Sequence, residues 1–318
     1  METYSKFKKK RILNHTLSHS SLAIGFFDGV HLGHQQIFKN LIESSPISYI
    51  ITFQQHPFNV LNPDLAPTKL ISTHAQKINL IKKYANPNYL YTLKFSKILS
   101  NMTYIQFFHW IRQYIPFKKL ILGYDSSFGK NRKGSLSELI KLSKKLSFEI
   151  ENIPALTINN QIISSTYIRY LIRIGNLSLA KKFLGRTYSI LGKVSKGKQR
   201  ATQYFKIPTA NLYNINELEL PPLGVYAVTV KYKKSSYQGI ANLGLSPTFQ
   251  KDQNKLKLEV HIFNLSKNIY DEKIEVFFHF LLRKEKTFNS IKELKHQINL
   301  DILKCKKLFL KLNYEEII

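Results

Sequence analysis

A single cysteine, Cys305, excludes an internal disulfide and any metal centre built from several thiolates. Its helical-looking surroundings assign it to packing, and a reducing, cytoplasmic compartment is expected. Long apolar runs are also missing: nothing approaches the roughly 18 to 20 residues needed to cross a bilayer. The basic start, from Lys6 to Arg11, leads into Asn, His and Ser rather than an apolar signal core, so an unsecreted protein with no membrane partner is expected. Acidic residues are scarce, 20 against 48 Lys and Arg, giving a net charge of +28. Such a field attracts nucleic acid, anionic membranes or phosphorylated small molecules. The cations, however, are scattered through both halves among many Asn, Ile and Tyr, which reads as compositional drift rather than one basic face. There is no paired Cys/His finger, arginine-rich tail or RNP-type aromatic motif, so no specific nucleic-acid partner is expected. A basic nucleic-acid-binding protein stays open as the rival class. No internal repeat or long low-complexity segment is found.

What is present is enough chain for two cores. At 318 residues with 43% hydrophobic content, the length favours two domains. From Ser21 to about Leu156, apolar runs of strand length alternate with stretches of helical period, as in a parallel sheet built from βαβ units. Strands are predicted at Ser21 to Phe27, Ile47 to Phe53, Tyr89 to Phe95 and Lys118 to Tyr124. Helices are predicted at His34 to Ile42, Ala75 to Tyr84, Thr103 to Ile115 and Ser135 to Leu146, with caps at Thr73, Thr103 and Ser135. Two short helices are expected after Ser164. From about Tyr188 the texture changes to β-branched and aromatic runs between Gly, Pro, Asn and Lys-rich turns. Strands are predicted there at Tyr188 to Val194, Gly224 to Tyr232, Tyr237 to Leu243, Leu256 to Phe263 and Lys273 to Leu282, closed by a helix from Ser290 to about Leu310. The fold expected is an α/β Rossmann-like domain over residues 1–185, then a small antiparallel β-barrel with a C-terminal helix over 186–318.

The run Ile24-Gly25-Phe26-Phe27-Asp28-Gly29-Val30-His31-Leu32-Gly33-His34 places three glycines and two histidines where a strand gives way to a helix. Glycines let backbone amides approach a polyphosphate, and free N–H groups at a helix start stabilise negative charge. His31 and His34, three apart in one turn, can donate together to an α-phosphate as charge builds in the transition state. Two histidines in a turn are more often ordinary polar surface, and a zinc reading lacks a third ligand. The length of the pattern decides. Gly25 to His34 resembles the G-x-F-D-G-x-H-x-G-H signature of the bacterial FAD synthetase branch of the nucleotidylyltransferase superfamily.

Further segments resemble that family in its own order: Thr52-Phe53-Gln54-Gln55-His56-Pro57, then Gly123-x-Asp125 with Phe128-Gly129 and Arg132-x-Gly134, then Ile163-Ser164-Ser165-Thr166-Tyr167-Ile168-Arg169. The resemblance implies that His31 and His34 stabilise the transferring phosphoryl group, that Ser165, Thr166 and Arg169 hold the triphosphate, and that Gly123 and Asp125 line the nucleotide pocket. It likewise places Gly25, Phe27, Asp28 and Gly33 at the nucleotide. Hydroxyls and amides at a helix start plus one guanidinium suit a leaving pyrophosphate; taken alone, Ser164 to Thr166 would also read as a helix cap. Two departures stand out. Phe26 occupies a position where many relatives carry a small polar residue, and Ser126 and Ser127 replace an aromatic and an arginine, with Lys130, Arg132 and Lys133 nearby as substitute cations.

Leu184-Gly185-Arg186-Thr187-Tyr188, Gly192-x-Val194 and Ile207-Pro208-Thr209-Ala210-Asn211 resemble the riboflavin kinase family. The Thr209 hydroxyl and Asn211 carbonyl can supply oxygen ligands to Mg²⁺ bridging ATP phosphates, although Pro-Thr with a capping Asn is also a common turn. Downstream, Gly224 to Val228, Ala241 to Gly244 with Pro247-Thr248, Leu258-Glu259-Val260-His261 and Leu281 to Phe288 extend the resemblance. Glu259 is implied as general base toward the ribityl 5′-hydroxyl and Arg283 as a flavin contact, with a nucleotide contact or plain helix-flanking charge as the other readings of Arg283. Before Pro208, Thr202-Gln203 and Phe205-Lys206 stand where the family carries Gly-Arg and Leu-Gly, with Lys198, Arg200 and Lys206 as possible replacements for the lost cation. The resemblance as a whole is to bifunctional riboflavin kinase/FMN adenylyltransferases, implying riboflavin, FMN, FAD and ATP as partners and Mg²⁺ as cofactor. An adenylyltransferase with a degenerate kinase barrel remains the alternative, and oligomeric state leaves no mark in the sequence.

Overall fold

The computed structural model describes residues 2–4, 19–195, 209–246 and 255–311. Lys6 to Arg11, Lys198, Arg200, Thr202, Gln203, Phe205, Lys206, Pro208, Pro247 and Thr248 lie outside them. The chain divides into two compact units, Met1–Thr68 with His74–Ser165, and Lys69–Thr73 with Thr166–Ile318.

The first unit contains β1 (Glu2–Tyr4), β2 (Ser20–Ile24), α1 (Leu32–Ser44), β3 (Ile47–Phe53), α2 (Pro57–Leu61), α3 (His74–Tyr84), β4 (Tyr89–Leu93), α4 (Lys97–Asn101), α5 (Tyr104–Arg112), β5 (Lys119–Gly123), α6 (Leu136–Leu146) and β6 (Glu149–Ile153). These strands form one parallel sheet in the order β1-β4-β3-β2-β5-β6. A short hairpin, β7 (Thr157–Ile158) with β8 (Gln161–Ile162), follows.

Alternation along each strand sorts side chains to the two faces. Leu22, Ile24, Ile51, Leu120 and Leu122 join Phe107, Phe108 and Ile111 of α5 and Leu139 and Leu142 of α6 in one core. Ala23, Ile50 and Ile121, one step along, join Ile37, Phe38 and Leu41 of α1 and Leu80 and Ile81 of α3 in the other. The apolar residues on both faces explain why these strands read as continuous hydrophobic runs.

Two expected caps form. Thr103 makes a complete capping box with Gln106, and the Ser135 hydroxyl accepts from the Glu138 amide. Strands β1 and β6 were not predicted from the sequence. In β6, Glu149, Glu151 and Asn152 interrupt the apolar pattern, and at this edge of the sheet only Ile153 of the strand is buried.

The second unit takes in α7 (Ser165–Arg173) from Thr166 onward and α8 (Leu177–Leu184), the latter capped by the Asn176 side chain and ended by Gly185 in the left-handed conformation, φ 68°. Strands β9 (Ser189–Ser195), β10 (Ala210–Leu212), β11 (Gly224–Tyr232), β12 (Ser235–Ser246), β13 (Lys255–Ile262) and β14 (Lys273–Lys284) follow, then α9 (Ile291–Leu310). They close into an antiparallel barrel in the order β10-β13-β12-β11-β14-β9.

Strand β11 is buried on both faces, because α9 covers Val225 and Ala227 with Cys305 and Phe309 while Tyr226, Val228 and Val230 turn the other way. Cys305 is fully buried, its thiol donates to the Gly239 carbonyl, and burial pushes its pKa up to about 12, the property of an inert packing residue. Arg173 on α7 makes a two-point ion pair with buried Glu219, whose own carbonyl accepts from the Tyr188 hydroxyl.

Candidate functional site

In the parallel sheet, the chain runs from β2 to β3 on one side and later returns to β5 on the other. The carboxyl ends of β2 and β5 therefore mark the topological switch point, where open α/β sheets hold their ligands. The segment Gly25 to His31 leaves β2 there. Phe27 (φ 54°), Gly29 (φ 73°) and Val30 (φ 42°) all take left-handed backbone conformations. For a β-branched valine this is strained, by about 1–3 kcal/mol, and the buried packing of Phe27 and Val30 against α1 and α3 holds it.

The turn delivers His31 as the N-terminal cap residue of α1 and His34 one turn on. Their rings stack with centroids 3.6 Å apart, and His34 meets the Phe27 ring edge-on at 5.3 Å. Gly33 leaves room for that stack: a β-carbon there would approach the His31 ring at 3.2 Å. Gly25 does the same for Phe27, whose ring would lie 2.7 Å from an added β-carbon. Asp28 is buried, and its carbonyl accepts from the Ser165 hydroxyl at 3.0 Å. The His pair, Asp28 and Ser165 are thus brought together by one loop, at the positive end of a 13-residue helix. Thr166 and Arg169 follow Ser165 on α7, and Arg169 is buried.

The Thr52 to Pro57 segment packs on the same loop. The Thr52 hydroxyl donates to the Phe26 carbonyl at 3.0 Å, and His56 caps α2 while its ring meets Phe26 edge-on at 4.7 Å. On Phe26 also lies Lys77, a residue that sequence reasoning missed. Its ammonium stands 3.7 Å from the Phe26 ring centroid and donates to the Phe53 carbonyl at 2.7 Å. Lys77 is only 2% exposed; desolvation lowers its pKa to about 7, with the Asp28 charge partly opposing. It sits inside a helical apolar pattern, and nothing in its spacing announces the role.

Gly123 ends β5, and Asp125 after it is exposed. Arg132 is engaged within this loop: its Nε donates to the Ser127 hydroxyl at 2.6 Å and its terminal nitrogen to the Asp125 carbonyl. Phe128 and Gly134 exchange backbone hydrogen bonds, and Gly129 (φ 73°) presses so closely on α5 that a β-carbon would lie 2.2 Å from the Tyr104 amide nitrogen. Lys130 and Lys133 remain exposed.

In the barrel, the chemistry-bearing residues come from neighbouring strands in register. Asn211 on β10 pairs with Glu259 on β13 and with Ser195 on β9, and Glu259 pairs in turn with Asn242 on β12. Cross-strand partners share a sheet face, so these four polar residues form one row. Asn211 lies on a strand, not in the capping turn that its sequence context also allowed.

Asn211 is 3% exposed and its Oδ1 has no hydrogen-bond partner among the described residues. A buried, unsatisfied carbonyl oxygen is a donor suited to a hard cation, so the residues present fit Mg²⁺. No cluster of three or more His, Cys, Asp or Glu side chains capable of holding a metal occurs among the described residues. Glu259 is partly exposed and paired with Lys257 at 2.7 Å. Thr209, half-buried, directly precedes β10. Arg283 shares its Nε–H between both carboxylate oxygens of Asp301 on α9, and its guanidinium lies over the Phe288 ring.

Comparison with known proteins agrees with both halves. Residues 13–167 match the FAD synthetase family and residues 184–309 the riboflavin kinase family. The bifunctional riboflavin kinase/FMN adenylyltransferase of Buchnera aphidicola subsp. Acyrthosiphon pisum is 35% identical over 300 residues, covering 92% of this chain and 94% of its own. The chain belongs to the bifunctional riboflavin kinase/FMN adenylyltransferase family. The Bacillus subtilis member of this bifunctional family is likewise 35% identical, over 89% of this chain and 90% of its own.

Among solved structures, a Streptococcus pneumoniae protein described as a macrolide-efflux protein superimposes with a TM-score of 0.81 at 28% identity, covering 96% of this chain and 98% of that one. That description belongs to the other protein. No helix among the described residues here is long and apolar enough to cross a membrane.

Proposed function

We propose that this member of the family makes FAD in two ATP-dependent steps, phosphorylating riboflavin in residues 186–318 and adenylylating FMN in residues 1–185. The observation that carries the reading is the stacked His31 and His34 pair at the amino end of α1, on the sheet's switch point. In the adenylyl step an FMN phosphate oxygen attacks the α-phosphorus of ATP, and the bond to the β-phosphate oxygen breaks with release of pyrophosphate. His31 and His34 donate to the α-phosphate oxygens as negative charge grows there. Ser165, Thr166 and Arg169 hold the departing phosphates; Gly25, Phe27, Asp28, Gly33, Gly123 and Asp125 shape the nucleotide site. Positioning and charge neutralisation suffice, and no covalent enzyme intermediate is required.

In the kinase step the 5′-hydroxyl of riboflavin attacks the γ-phosphorus of ATP while Glu259 accepts its proton, and the bond to the β-phosphate oxygen breaks with release of ADP. Thr209 and Asn211 would hold Mg²⁺, which would supply charge neutralisation at the ATP phosphates. Arg283, fixed by Asp301, contacts the flavin. A cytoplasmic location accords with a lone, buried cysteine. The test is chromatographic product analysis with ATP and Mg²⁺, on riboflavin and on FMN in parallel. Riboflavin is expected to yield FMN and then FAD. FAD from the FMN tube alone would remove the kinase assignment, and no product in either tube would remove both.

A further inference from the structure

Lys77 is an expensive residue to bury. A charged ammonium taken out of water loses hydration that one carbonyl cannot replace, and a methionine or leucine of similar volume would pack α3 without that loss. The groups that compensate the charge all belong to the neighbourhood of the phosphate loop. The Phe53 carbonyl, the acceptor at 2.7 Å, is the last residue of β3. The Phe26 ring, 3.7 Å away, is the second residue after β2. Asp28, whose charge acts favourably on the ammonium, lies in the turn itself. Phe26 is also gripped from its edge by His56 and through its carbonyl by Thr52. Held this way, Phe26 fixes the start of the left-handed run at Phe27, Gly29 and Val30 that determines where His31 and His34 point.

We propose that Lys77 is a positioning residue for adenylyl transfer, clamping the ring of Phe26 and through it the turn that presents His31 and His34. The inference rests on the adenylylation reading of this loop. It also accounts for the aromatic at position 26, where the family resemblance leads one to expect a small polar residue: the ring is the surface on which the buried cation rests. The clamp acts on geometry rather than on substrate, so its loss falls on kcat. Binding of FMN and ATP, which other parts of the site provide, is left nearly as it was.

The experiment measures steady-state FMN adenylylation by the full chain for wild type, Lys77→Met, Lys77→Arg, Phe26→Leu and the Lys77→Met/Phe26→Leu double variant, with thermal unfolding of each. Lys77→Met is expected to lower kcat by about 10- to 100-fold, with KM for FMN and ATP moving by less than about threefold. Phe26→Leu should lower kcat in the same way, the double variant should be no worse than Lys77→Met alone, and Lys77→Arg, which keeps the cation, should recover part of the loss. An unchanged kcat in Lys77→Met overturns the proposal, as do losses that multiply independently in the double variant, or a loss expressed in KM alone. Should Lys77→Met not accumulate folded, Phe26→Leu decides: reduced kcat at constant KM supports the clamp, unchanged kcat overturns it. A wild type that makes no FAD from FMN removes the adenylylation reading itself, whereas an active wild type with an equally active Lys77→Met removes only the clamp.

Discussion

The two halves assemble their chemistry in different ways. In the α/β unit, Gly25 to His34 form one continuous turn, and the positions of His31 and His34 follow from backbone conformations at Phe27, Gly29 and Val30. In the barrel, Ser195, Asn211, Glu259 and Asn242 come from four strands and meet only because the strand register aligns them. A site made from one turn depends on local backbone geometry and on what packs beneath it. A row across strands depends on closure of the whole ring, since a one-residue slip of any strand would send its own member to the opposite face.

The largest expected effect sharpens this comparison. Glu259→Gln should reduce riboflavin phosphorylation by about 10²–10⁴-fold while FMN adenylylation continues, as read by product chromatography. Continued phosphorylation would leave Glu259 without a role as base. His31→Ala or His34→Ala should have the mirror effect, lowering FAD formation from FMN by about 10²–10³-fold with FMN formation from riboflavin intact. Equal loss of both activities would mean that the halves do not work as separate sites.

Glycines test the contrast through stability. Gly129→Ala forces a left-handed position and a collision with the Tyr104 backbone, so thermal unfolding should show a loss of about 2–3 kcal/mol. Gly244→Ala in the barrel meets chiefly the carboxylate end of the exposed Glu285 side chain, which can swing away. Its loss should stay under about 1 kcal/mol, and a reversal of the two values would break the argument.

A smaller effect concerns pH. Burial, aided by Lys181, pushes His279 down from 6.5 to about 4, and its ring nitrogen pairs with the Thr229 hydroxyl. The unfolded chain therefore binds a proton at this residue before the fold does. Its contribution to stability is complete above about 6.5 and is lost as pH falls toward about 4. Urea midpoints should decline with acidification over that window more steeply for wild type than for His279→Gln; parallel curves would show that His279 does not govern the decline.

Legibility in the sequence followed the same division between local and distant construction. Strand β3 was readable to its ends because Ile47 to Phe53 is a run of strand-forming residues buried on both faces, and Thr103 was readable because a capping box is written in four consecutive residues. The loop motif at Gly25 to His34 was readable for the same reason. Strand β10 was not: Ala210-Asn211-Leu212 is too short to show a period, and Pro208-Thr209 before it suggests a turn. Its strand character comes from pairing with β13 and β9, far away in sequence. Lys77 was invisible for a related reason, since only the folded arrangement shows that the loop after β2 and the end of β3 converge on α3.

Closure of the barrel also fixes an order of events during synthesis. Its first strand, β9, is bonded to its last, β14, so the ring cannot be completed before the chain has been made through Lys284. The parallel sheet has all its strands once Ile153 is made. On the ribosome, the α/β sheet can therefore form while the barrel is still incomplete, and β9 keeps one edge unpaired and in need of protection until β14 has been made.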